Sequence, residues 1–193
     1  MKIENEQDII KLIKEDKWMM SILEDAKSLN LPDWWVCAGF VRSKIWDVLH
    51  RFEKRTTMLD IDVIYFDANS IDEEVEKKLE NQLKGINPNI PWSVKNEARM
   101  HVVNNFSPYL SSVDAISKFP ETATALGLTM DEQNNVRLTA PHGIEDVINL
   151  VLRPTPYFEE NNDRAIIYEE RIAKKQWKKL WNKLKVVHIQ HND

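Results

Sequence analysis

The chain has 193 residues, 42% of them apolar and 30% charged, a composition that suits a globular domain and excludes a disordered or fibrous one. Its 26 basic and 31 acidic residues leave a formal charge of −5, which argues against a generic nucleic-acid coat though not against a local basic patch. The lone cysteine, Cys37, excludes an intramolecular disulfide framework and a cysteine-rich zinc site.

In chain order, Met1 to Asp8 is too polar and acidic to open a signal peptide. No stretch approaches the ~18 consecutive apolar residues of a membrane span. The expected compartment is therefore the cytoplasm, with no membrane among the partners. Ile9, Leu12, Ile13, Met19, Met20, Leu23 and Ala26 recur at helical spacing and predict one or two amphipathic helices before Pro32. Trp34 to Ala38 reads as a short strand ending at Gly39, and Val41, Ile45, Val48, Leu49 and Phe52 then fall on one helical face. After a basic loop, Leu59 to Phe66 carries the strongest strand signal. Ser70 or Asp72 can cap a helix to about Leu83, with Val75, Leu79 and Leu83 as its buried row.

Trp92 to Asn96 predicts a third strand, and Ser111 or Ser112 a short helix that Pro120 ends. Thr122 to Met130 with Val136 to Thr139 reads as a hairpin, with a helix as the alternative around Thr122 to Leu126. Glu145 to Leu152 predicts a short helix stopped by Pro154. Residues 164–185 hold eight basic and two acidic residues, a local +6 against −11 for the rest. Their apolar positions, Ile166, Ala173, Trp177, Leu180, Trp181 and Leu184, predict one basic amphipathic helix. Docking through its tryptophans is the plainer reading; a strip for RNA is the other. The whole reads as one domain, residues 1–193, with a core at about 34–155.

Two features carry chemistry. Asp60 and Asp62 stand at i and i+2 in an otherwise apolar strand, so alternation puts both carboxylates on one face with Cα atoms about 6–7 Å apart. Such a pair repels unless a cation, an arginine or a shared proton relieves it. A hard divalent cation, Mg²⁺ or Mn²⁺, takes oxygen ligands of this kind together with substrate phosphates. Gly39 ends a strand and opens a helix, which lets backbone N–H groups approach an anion. Arg42, in the first turn, is unfavourable against the helix dipole unless an anionic ligand is bound. A tight turn and a local salt bridge would account for each alone. With Asp60 twenty-one residues after Gly39 and Asp62 two further on, the combination points to phosphate chemistry. Cys37, before the turn, reads as an inert core thiol, and His142 as a turn residue. His188 and His191 read as solvated and too few for a metal site.

Ala38-Gly39-Phe40-Val41-Arg42, followed by Leu59-Asp60-Ile61-Asp62-Val63, resembles the glycine-turn and Asp-x-Asp signature of the polymerase-β-like nucleotidyltransferase superfamily. Trp46-Asp47, Val94 to His101, Pro120 to Ala125 and Ala140 to Gly143 add a likeness to a family of small bacterial predicted nucleotidyltransferases, with a weaker echo in Arg171, Lys174 and Trp177. The resemblance implies an α+β fold with a mixed sheet flanked by helices, extended here by helices at both ends. It implies Asp60 and Asp62 as Mg²⁺ ligands and a nucleoside triphosphate facing Gly39, Phe40, Arg42 and Ser43. Many superfamily enzymes add a third carboxylate to deprotonate the acceptor hydroxyl; here Glu97 offers one, or Asn96 takes its place. Lys95, Asn96, Arg99 and His101 are candidates for nucleotide contact. The activity implied is transfer of a nucleotidyl group to a hydroxyl of a small molecule, a protein or an RNA end. The alternative is a protein of the same fold that binds nucleotide or a partner without catalysis.

Overall fold

The computed structural model describes residues 2–189. Helix α1 (Glu6–Lys14) opens on a capping box: the Asn5 side chain accepts from the Asp8 N–H at 3.0 Å, and the Asp8 carboxylate accepts from the Asn5 N–H at 3.3 Å. Asp16 caps α2 (Lys17–Ser28) with a single bond, its side chain accepting from the Met19 N–H at 3.1 Å. Then come β1 (Trp35–Cys37), α3 (Gly39–Leu49), β2 (Ile61–Tyr65), α4 (Glu73–Ile86) and β3 (Trp92–Asn96). Helices α5 (Glu97–Asn104) and α6 (Ser112–Ser117) precede the hairpin of β4 (Gly127–Met130) and β5 (Val136–Thr139). Residues 122–124 form a turn, and the hairpin's first strand starts only at Gly127, not at Thr122 as the sequence suggested.

These strands make one five-stranded sheet in the order β3-β2-β1-β4-β5. The β2–β3 pair is parallel and the other pairs are antiparallel, so the fold is α+β with a mixed sheet flanked by helices. Registers Val36↔Val63↔Val94 and Val36↔Leu128 put these residues on one face, where they join Ile9, Met19, Leu23 and Leu83 in the main core. Registers Cys37↔Asp62↔Ser93, Ile64↔Lys95 and Cys37↔Gly127 define the opposite face. There only a small cluster, Cys37, Ile64, Ile116 and Ala125, is buried. That half-covered face carries the polar residues.

The backbone strain at the turn into α3 sits on Ala38, with φ 58° and ψ −118°, and not on Gly39. This is the first central position of a type II′ turn, which glycine adopts freely and alanine does not. Ala38→Gly is therefore expected to leave stability unchanged or raised. Relief of about 1–3 kcal/mol of strain outweighs about 0.5–1 kcal/mol of lost backbone restriction. Urea unfolding measures it, and a loss above about 1 kcal/mol would contradict the strain.

The remaining elements correct the sequence reading. Residues 145–152 are not one helix: α7 (Glu145–Ile148) stops, Leu150 takes φ 59°, and β6 (Val151–Leu152) follows. After α8 (Pro156–Glu159), the expected continuous basic helix is broken. α9 (Asn162–Lys175) ends at Gln176 in the left-handed conformation, φ 48°, and α10 (Trp177–Leu180) starts in a new direction. β7 (Lys185–Val186) then pairs parallel with β6. Trp177 and Trp181 are 9% and 2% exposed and meet Trp46 edge-on at 6.3 and 5.1 Å. They dock this segment and offer no stacking surface. His188 pairs with Glu169 at 2.7 Å, and His191 lies outside the described residues. No helix of the described residues is long and apolar enough to cross a membrane.

Candidate active site

Asp60 precedes β2 instead of lying within it and is exposed; only Asp62, one step into the strand, is half-buried. The two acids open onto different cavities. The smaller, about 200 Å³, is bounded by Asp60, Gly39, Arg42, Ser43, Thr56 and Lys175 among others. The larger, about 500 Å³, has Asp62, Glu97, Lys95 and Arg171 in its wall together with aromatic side chains. Asp60 and Asp62 thus stand where the two spaces approach each other.

Helix α3 brings the turn to the smaller cavity without a side-chain cap, whereas α1, α2, α4, α5 and α9 each have one. An uncapped N-terminus leaves N–H groups and the positive end of the helix dipole for an anion. A Cβ on Gly39 would meet the Arg42 Nη2 at 3.5 Å, so the guanidinium lies directly beneath the turn. It is buried, donates to Thr124 Oγ1 at 2.8 Å, and sits 4.4 Å from the Trp177 ring centroid. Burial, helped by the Arg171 charge, lowers its pKa to about 10, with Glu121, Asp60 and Asp62 pulling the other way. Phe40 turns away into the core beside Trp18, ring centroids 6.1 Å apart. The outer wall is tied down by Asp47, which accepts from the Thr56 N–H at 2.8 Å and from Trp181 Nε1 at 2.9 Å.

In the larger cavity, burial and then the charge of Asp60 push the Asp62 carboxyl up to about 6, partly offset by Ser93, Arg171 and Lys175. Burial, then the charges of Asp62 and Glu76, push Glu97 up to about 8. Glu97 opens α5 directly after β3, so its carboxyl stands on the Asp62 side of the sheet. Behind it, burial and the charges of Asp62, Glu97 and Asp60 raise the Cys37 thiol well above its ordinary value, which leaves it an unreactive core group.

Besides Phe40, three more of the sequence candidates lie elsewhere. The Asn96 side chain holds the Asp67–Ser70 loop by accepting from the Asp67 N–H and donating to Asp67 O and Ser70 O, while it also caps α5. Arg99 forks onto Glu76, at 2.8 Å to each carboxylate oxygen, and Glu76 is 1% exposed. His101 leans edge-on to Tyr109 at 6.4 Å and lines neither cavity. His142 lies in a turn, as expected, and its Nε2 donates to Ser117 O at 2.7 Å. Sequence reasoning passed over Lys175, Thr56 and the buried Glu121. The last receives Arg171 at 2.6 Å across fifty residues, and its only sequence signal is the Pro120 to Ala125 motif. Among the described residues no three His, Cys, Asp or Glu side chains converge as a ready-made metal site; Asp60 and Asp62 remain the pair with suitable oxygen donors.

The same architecture occurs in solved structures. An NMR structure described as a CCA-adding enzyme head domain shares 38% identity with a TM-score of 0.87, over 96% of this chain and 97% of that one. The Thermotoga maritima CCA-adding enzyme complexed with tRNA matches at 14% identity and a TM-score of 0.52. A CCA-adding enzyme in complex with CTP matches at 14% and 0.52. This chain covers 97% and 93% of its own length in these two, but only 46%-or-less portions of such enzymes, 44% and 42% respectively. They show a shared fold. No curated protein matches the chain. A family model described as nucleotidyltransferase matches residues 24–186, and with the head-domain likeness this establishes that the chain belongs to the nucleotidyltransferase family.

Proposed function

We propose that the protein transfers a nucleotidyl group from a nucleoside triphosphate to a hydroxyl acceptor, with Mg²⁺ (or Mn²⁺) held by Asp60 and Asp62. The carrying observation is that, two residues apart, Asp60 borders a cavity with Gly39, Arg42 and Lys175, groups suited to phosphate, and Asp62 borders a cavity holding a third acid, Glu97. Two nearby carboxylates, one raised by burial and then by the other's charge, suit a hard cation that completes its shell with phosphate oxygens. Bound there, the cation would withdraw charge from the reacting phosphoryl group.

The other roles fall to the chain's own residues. The uncapped end of α3 and Lys175 would take the phosphates, while buried Arg42 keeps that end positive from below. As pH approaches and passes about 8, where its carboxyl ionises, Glu97 would receive the acceptor's proton, its raised pKa making that carboxylate a stronger base. Lys95 shares the Glu97 cavity, but its ammonium is drawn to Glu76 at 3.7 Å, which leaves the acids room for a substrate. The smaller cavity at Gly39 also supports nucleotide binding as the first step of any such activity.

The test is Mg²⁺-dependent binding of ATP, GTP, CTP and UTP by wild type and by the Asp60→Asn, Asp62→Asn double variant. The tightest of the four should bind at least ~10-fold more weakly to the variant, about 1.4 kcal/mol, and to wild type in EDTA. Equal binding by both proteins would remove the metal assignment.

A further inference from the structure

The larger cavity has the volume of a pocket for one small molecule, about 500 Å³, and its walls are unlike those of the nucleotide side. Met100, Phe106, Tyr109, Phe119, Phe158 and Ile167 make it mainly apolar and aromatic. Three cations also reach it, and each is already paired with an acid: Lys95 with Glu76 at 3.7 Å, Lys118 with Asp114 at 2.8 Å, and Arg171 with Glu121 at 2.6 Å. Asp62 and Glu97 add negative charge at one end.

We infer that this cavity seats the acceptor, and that the acceptor is a small uncharged alcohol or phenol carrying a flat ring. The inference rests on the nucleotidyl-transfer reading and names the class of its second substrate. Aromatic walls favour a flat apolar body in offset or edge-on contact. A polynucleotide needs free lysines or arginines for its phosphates, and here the cations of the wall are engaged. An anionic compound would meet Asp62 and Glu97; a cationic one would meet Lys118 and Arg171. The hydroxyl of a neutral ring compound reaches the acid end without either cost. There its oxygen forms a P–O bond to the α-phosphorus as the bond from that phosphorus to the bridging oxygen breaks. Pyrophosphate leaves, and the hydroxyl proton passes to the Glu97 carboxylate.

The test uses two neutral ring-bearing alcohols, 4-hydroxybenzyl alcohol and adenosine, titrated to about 10 mM while backbone amide shifts are followed by NMR. At least one is expected to give saturable shifts within residues 97–110. Ile167→Trp, a change at a half-exposed position on α9, and separately Met100→Trp should weaken that binding at least about fivefold, with triphosphate affinity within about twofold of wild type. No saturable shift from either alcohol overturns the inference, as does binding indifferent to both tryptophans. A short RNA with a free 3′ hydroxyl that shifts 97–110 when neither alcohol does overturns it in favour of an RNA end. Loss of triphosphate binding in both tryptophan variants overturns it too, because the cavity would then be the nucleotide's. Alcohol binding that persists while the Asp60 and Asp62 substitutions leave triphosphate binding intact removes the metal assignment alone.

Discussion

Glu97→Gln is expected to stabilise the protein at pH 8 while abolishing transfer. Glu97 is 6% exposed, and burial followed by the charges of Asp62 and Glu76 holds its carboxyl at about 8, against an ordinary value of 4.5. Below the ordinary value both folded and unfolded chains carry the proton, and Glu97 contributes no pH dependence. Between the two values the folded state keeps the proton and the unfolded state has lost it, so stability falls as pH rises through that window. Above about pH 8 the folded protein bears the full cost of a buried charge. Glutamine keeps the shape and removes the ionisation. At about 1.4 kcal/mol per pKa unit, the gain at pH 8 is on the order of a few kcal/mol, and it vanishes near pH 4.5. Urea midpoints of both proteins from pH 4.5 to 8.5 should diverge steadily; parallel curves would mean that Glu97 is not buried as charge. The same change deletes the proposed proton acceptor, for an expected loss of roughly 10²–10⁴-fold in rate. A residue that costs the fold stability and serves the chemistry has this double signature.

Trp46→Ala is expected to be the most destabilising substitution of those considered, at about 3–5 kcal/mol. Trp46 is fully buried on α3, donates from Nε1 to Val147 O at 3.1 Å, and receives the edges of Trp177 and Trp181. Its loss opens a cavity at the junction of α3, α7 and α10 and strands a buried carbonyl. Arg42, whose guanidinium lies 5.1 Å from the Trp46 ring centroid, loses part of its bed. Lys175, one step before the Gln176 break, loses its anchor. Denaturant unfolding should show the stability loss, and Trp46→Phe should recover a substantial part of it by refilling the space. A cost below about 1 kcal/mol for the alanine variant would contradict the packing described.

What was legible in the sequence was local. The Trp92–Asn96 strand is announced by its own apolar alternation, and α3 by a glycine after a strand followed by a helical stripe. Asp60 and Asp62 stand out because carboxylates are rare in such apolar company. What was not legible depends on residues far apart, or on backbone torsion. Gln176 breaks a stripe that continues unbroken through Ile166, Ala173, Trp177 and Leu184, because a left-handed residue leaves no mark on periodicity. Glu76 faces inward from a helix rich in exposed acids, held there by Arg99 twenty-three residues later. Helix α5 hides because Val102 and Val103, its most apolar residues, are 69% and 60% exposed. The division of the site into two cavities exists only once β2, α5 and α9 are assembled.

The left-handed residue at Gln176 also decides how the molecule comes apart. A four-residue helix and a pair of two-residue strands cannot hold themselves together in water. Residues 177–186 therefore take their order from the tryptophan cluster beneath them and form no separable folding unit. Lys175, at the hinge of that stretch, is in position only while the core is intact. In this protein the Gly39 side of the cleft and the global fold should melt as a single cooperative event, so that a partly unfolded chain holds no half-built site.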